Sequence, residues 1–161
     1  MPQINEISVS RHAAQAMMHA ALTMAPQSCV GLLAGHGHGI DEAMPLLPGP
    51  ETQDPAWKPQ AADIRDAADR LRQHGMGILG WFHSRLDSHE PDEDTMRWLE
   101  QLSGSVPGFD PGASPIHLLV ALDTKGRLDL HAYVLNHAER MAPMPLRLLD
   151  DSPLYLASAR R

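Results

Sequence analysis

Apolar positions along this chain recur with two periods, and their alternation predicts a series of strands and helices. Ile4 to Val9 alternates loosely and reads as a first strand. Ser10 is placed to cap a helix over 11–24, where Ala13, Met17, Ala20 and Met24 form one apolar stripe before Pro26 breaks it. Ser28 to Ala34 is a compact apolar strand, ended by the turn Gly35-His36-Gly37-His38-Gly39 and followed by a candidate antiparallel partner, Ile40 to Leu47. Five prolines from Pro45 to Pro59 inclusive mark an irregular loop, and Pro59 suits the first turn of a second helix. In that helix Ile64, Ala67, Ala68 and Leu71 share a face, and Gly75 is placed to end it. The strand Met76 to Phe82 follows at once. A third helix runs from Pro91 to Leu102, with Asp92, Glu93 and Asp94 in its first turn, where the helix dipole favours anions. After a loop over Ser103 to Pro115, Ile116 to Leu122 and Leu128 to Leu135 read as strands joined by the turn Asp123-Thr124-Lys125-Gly126.

This helix-to-strand order predicts a layered α/β domain over residues 1–140. Residues 141–161 then form a proline-rich C-terminal tail with room for one edge strand, Leu146 to Leu149. At 161 residues the prior is a single domain with a full core. A net charge of -7 with no basic block argues against a nucleic-acid partner. The single cysteine, Cys29, excludes an intramolecular disulfide and fits a reducing compartment. The N-terminus lacks the pattern of a signal peptide, and no run is long enough to span a membrane. The expectation is therefore a cytoplasmic protein with no membrane partner.

The candidate chemistry gathers after Gly80-Trp81-Phe82, at His83-Ser84-Arg85. A zinc site there would want a second histidine two residues beyond His83, on the same side of an extended chain. Arg85 stands at that position, and a guanidinium keeps its proton and has no lone pair for a metal. Arg85 has two readings: a cation forking to Asp92 or Asp94 at the helix start, or a solvent-facing side chain. Cys29 reads as a buried inert thiol, and His36 with His38 as a hairpin tip rather than a metal pair. His117 and His131 read as core or edge histidines without a carboxylate beside them, and the three tryptophans as packing residues.

Three stretches carry a resemblance to the JAMM/MPN domain family, the JAB-domain metalloisopeptidases and their inactive relatives. Pro26 to Gly35 resembles the family's Pro-x-Glu-x-Cys-Gly-Leu-Leu-x-Gly strand, and Met76 to Ser84 resembles the strand ending Gly-Trp-x-His-Ser-His-Pro. The helix–strand order on either side is similar as well. The resemblance implies an αβα-type sandwich, with a mixed, mostly antiparallel sheet flanked by helices. It also implies one zinc, held by two histidines of a His-x-His pair and an aspartate, with a glutamate as general base. Carried onto this chain, His83 matches the first histidine and Ser84 the serine between the pair, while Arg85 replaces the second histidine. Ser28 takes the glutamate position. With a one-residue deletion Asp92 takes the family's serine position and Thr95 its aspartate position; without it these fall on Glu93 and Met96. Ser28 and Ser84 are thus the candidates left at catalytic positions, and Arg85 and Thr95 mark the vestige of a site.

Two functions follow. In the first, the domain is catalytically silent and acts as a binding or scaffold module for another protein, as a monomer or an oligomer, with no cofactor. In the second, zinc is held by displaced ligands, His83 with His89 and Asp92 or Asp94. The protein would then be an isopeptidase or peptidase acting on the C-terminal tail of a ubiquitin-like or sulfur-carrier protein.

Overall fold

Local sequence sets the element ends wherever a side chain can cap a helix or a proline can stop one. The computed structural model describes residues 6–37, 39–48, 57–104, 106, 116–135 and 141–149. Strand β1 (Ile7–Ser10) runs directly into helix α1 (Arg11–Met24), and the Ser10 hydroxyl accepts the Ala13 N–H at 3.0 Å. Strands β2 (Val30–His36) and β3 (Gly39–Leu46) form a hairpin. Helix α2 (Ala61–Gln73) starts two residues later than a proline-first helix would. Gln60 is its N-cap, and the Asp63 carboxylate accepts the Gln60 N–H at 2.8 Å, so Pro59 lies just outside. Next come β4 (Gly77–Leu86), α3 (Glu93–Ser103), β5 (Ile116–Leu122), β6 (Leu128–Leu135), β7 (Met141–Met144) and β8 (Leu146–Leu149).

The described strands form one eight-stranded sheet in the order β7-β6-β5-β4-β2-β3-β1-β8. Strand β4 runs parallel to β5, and β1 runs parallel to both β3 and β8; the other neighbours are antiparallel. The two end strands, β7 and β8, are separated along the chain by Pro145 alone, whose carbonyl accepts the Ile7 N–H at 2.9 Å. Strands adjacent in sequence can lie at opposite ends of a sheet only if that sheet curls until its ends meet. The segment after residue 140 thus supplies both end strands, and β7 is an element that hydrophobic periodicity did not reveal. Curling shelters backbone groups that an open edge would leave unpaired.

Two apolar cores lie on the two faces of the sheet. On one, Ala13, Ala14, Met17, Ala20 and Ala21 of α1 pack against Ile7, Leu33, Phe82, Leu118, Val120 and Ala132. On the other, Ile64, Ala68 and Leu71 of α2 and Leu99 of α3 pack against Leu32, Ala34, Ile78 and Trp81. The result is a single mixed α/β domain with helices on both faces of the sheet, in agreement with the sandwich that the resemblance implies. Two glycines of the motif strands serve this packing. A Cβ on Gly80 would run into the backbone carbonyl of Ile116, and one on Gly31 into the Phe82 ring and the Met44 carbonyl.

The main boundary difference matters for the site. The sequence places the end of β4 at Phe82, whereas the strand continues through Leu86. His83, Ser84 and Arg85 are paired with Leu119, Val120 and Ala121 of β5, and ladder hydrogen bonds hold polar residues in a strand that their polarity obscured.

Candidate functional site

Strand β4 presents successive residues to opposite faces, so His83 and Ser84 point into different surroundings. Ser84 is buried, and its hydroxyl accepts the Cys29 N–H at 2.8 Å while its own N–H donates to the Cys29 carbonyl at 2.9 Å. Its side chain therefore fastens the entry of β2 to β4. Cys29 is buried, and burial raises its thiol pKa above the ordinary value, which leaves it protonated and unreactive. Ser28, one residue earlier, is exposed, and a serine hydroxyl is no base near neutral pH.

His83 is 1% exposed. Its Nε2 accepts the backbone N–H of Asp92, the N-cap residue of α3, at 3.2 Å. Accepting that bond requires a lone pair on Nε2, so the ring proton of the neutral imidazole sits on Nδ1. Burial depresses the His83 pKa to about 4, the Asp92 carboxylate opposes the shift and the Arg85 guanidinium reinforces it. His117 is equally buried, with neither ring nitrogen hydrogen-bonded among the described residues, and burial pushes its pKa down to about 3, helped by nearby His83. The pair is neutral at pH 7.

Around this pair the other predicted residues disperse. Arg85 takes neither expected course: its Nη1 donates to the Glu90 carbonyl at 2.8 Å, tying down the loop after β4. Thr95 donates its hydroxyl to the Asp92 carboxylate at 2.6 Å, and that bond chiefly holds the Asp92 pKa below the usual carboxylate value. Asp92 is the helix N-cap rather than a first-turn residue. Asp94 is exposed and pairs with Arg97 at 3.8 Å, away from His83. His89 is exposed too, and its ring lies against His131 of β6 instead. The four residues His83, His89, Asp92 and Asp94 therefore do not converge as ligands: among the described residues the one cluster of three potential ligands is His89, Asp129 and His131.

The fit of zinc to the motif position can be judged from these donors. His83 has its outward lone pair engaged by a backbone amide, Arg85 offers none, and Thr95 supplies a neutral hydroxyl in place of a carboxylate. These residues do not fit zinc there.

Sequence reasoning missed Asp129. It stands two residues before His131, and that spacing puts both side chains on one face of a strand; the signal was present in Asp129-Leu130-His131. The histidine tip at Gly35 to Gly39 is described only in part: His36 is exposed, and His38 lies outside the described residues.

No protein-family model matches the sequence. No curated protein matches it either. Solved structures do. The solution structure of a protein from Desulfitobacterium hafniense aligns with TM-score 0.65 at 19% identity, covering 92% of this chain and 97% of that one. A protein from Salinibacter ruber aligns with TM-score 0.60 at 17% identity, covering 91% and 94%. A JAB1/MPN domain protein from Archaeoglobus fulgidus aligns with TM-score 0.48 at 18% identity, covering 87% and 95%. At such identities the likeness is one of fold, and the first two structures carry it.

Proposed function

We propose that this chain is an MPN/JAB-like domain without peptidase activity that acts as a binding or scaffold module for another protein. The observation that carries the reading is the hydrogen bond from the Asp92 N–H to His83 Nε2. It uses the lone pair of the one histidine left in the motif, and its donor is a backbone N–H at the N-cap of α3. Ser28, Arg85 and Thr95 add a missing base and two missing ligands around it. What remains of the motif is packing: Gly80, Trp81 and Phe82 fill the core, and Ser84 joins two strands.

Several exposed apolar side chains lie where a partner could use them, among them Leu86 at the end of β4 and Leu148 on end strand β8. Most of the loop from Ser103 to Pro115 lies outside the described residues.

The experiment is an incubation of zinc-supplied protein with fusions that extend the C-terminal tail of a ubiquitin-like protein. We expect no cleavage above a protein-free control, and no difference between the natural protein and His83→Gln. Turnover that disappears in His83→Gln would overturn the proposal.

A further inference from the structure

We propose that His89, Asp129 and His131 form a binding site for one divalent metal ion of the zinc class, distinct from the motif position. The site has two walls. Strand β6 supplies Asp129 and His131 from a single face, paired through the sheet with Ala121 and Leu119 of β5. The loop after β4 supplies His89 by crossing over β5.

Three contacts outside the cluster hold that loop in place. The Asp87 N–H donates to the Leu122 carbonyl at 2.8 Å, Arg85 donates to the Glu90 carbonyl at 2.8 Å, and the Tyr133 hydroxyl donates to the His89 carbonyl at 3.4 Å. Asp87 itself adopts a left-handed conformation, with φ 59°, at the point where the chain leaves the strand. The loop is thus held by one backbone and two side-chain donors that would exist without any metal, and of these the Tyr133 hydroxyl reaches the His89 carbonyl from β6.

The three ligand atoms are close enough together to share one ion. One ligand atom from each residue lies within 4.8 Å of the other two. His89 Nδ1 and His131 Nε2 are 3.4 Å apart, with the rings nearly perpendicular at 81°. That separation is long for a hydrogen bond between two imidazoles. It matches two ligands of a single tetrahedral ion, because Zn–N bonds of about 2.0–2.1 Å place neighbouring donors roughly 3.4 Å apart. Two imidazoles and a carboxylate suit zinc and its transition-metal neighbours over magnesium or calcium, which prefer oxygen donors throughout. Both histidines are at the surface or half-buried, so an ion reaches them from solvent, and water completes the coordination. A bound ion would clamp the loop before α3 onto β6.

The test uses the full chain, stripped with chelator and titrated with Zn²⁺ alone by calorimetry, with thermal unfolding followed in parallel. The expected result is one equivalent bound per chain and a raised melting temperature, with Mg²⁺ giving neither. His89→Ala, Asp129→Asn and His131→Ala should each weaken binding at least tenfold; all three change exposed or half-buried positions, and circular dichroism checks that each variant folds. His83→Gln should bind as the natural protein does. Ring resonances of His89 and His131 should move on Zn²⁺ addition while those of His83 stay. Zinc binding unaltered in the His89→Ala/His131→Ala double variant, or no saturable binding by the natural protein, would overturn the site. Peptidase turnover dependent on His83 would instead overturn the proposed function and leave this site standing.

Discussion

Two histidine clusters sit on one side of the same sheet and obey opposite rules. Around His83 and His117 the rings are buried, pushed neutral by desolvation, and one outward lone pair is held by the Asp92 amide. Around His89 and His131 the rings are accessible and share a carboxylate neighbour. The first cluster carries the recognisable motif and little donor capacity; the second carries no motif and a complete set of three donors. Ligand capacity depends on free lone pairs and on access, and a sequence motif records neither.

The comparison can be broken most forcefully at Gly80. If the motif strand survives for packing, Gly80→Ala should cost about 4 kcal/mol or more, because backbone of Ile116 blocks the added methyl and cannot rotate away. Urea unfolding measures this, and a loss under 1 kcal/mol would contradict the packing role.

Acid should separate the clusters next. The folded pKa values of about 4 for His83 and about 3 for His117 lie below the ordinary 6.5. Both rings therefore contribute stability that is fully present above pH 6.5 and is lost as pH falls towards the folded values. At about 1.4 kcal/mol per pKa unit, the His83 shift from 6.5 to about 4 corresponds to roughly 3 kcal/mol. His117→Leu removes a ring with no hydrogen-bond partner among the described residues, so the variant should lose less stability than the natural protein between neutral pH and pH 4. Identical acid-unfolding profiles would show that the buried ring is not what titrates.

Arg85→His sharpens the contrast at smaller scale. Losing the bond to the Glu90 carbonyl should cost about 1 kcal/mol. The new histidine alone should not create zinc binding at the motif, since His83 Nε2 stays engaged and Thr95 still stands where the resemblance wants an aspartate. Zinc titration in a His89→Ala background checks this without interference from the second cluster. Asp94→Ala should have the smallest effect of all. Its ion pair with Arg97 is exposed, so neither stability nor zinc affinity should move beyond experimental error.

The sequence alone determined the local elements and the motif's losses. Ser10 as a cap, Pro26 as a stop, the largely apolar run of β5 and the alternation at the start of β6 fixed those boundaries, because each depends on residues close in sequence. That Arg85 cannot ligate and that Ser28 is no base are properties of the residues themselves. Only the tertiary structure decided that β4 runs on through His83, Ser84 and Arg85, since those polar residues are held by β2 and β5 rather than by their own preference. It alone joined β7 and β8 to opposite ends of a curled sheet through one proline. Tertiary structure also turned His89 away from His83 and toward Asp129 and His131, some forty residues further along the chain. Such meetings are set by how a sheet folds strands together, and no spacing along the chain encodes them.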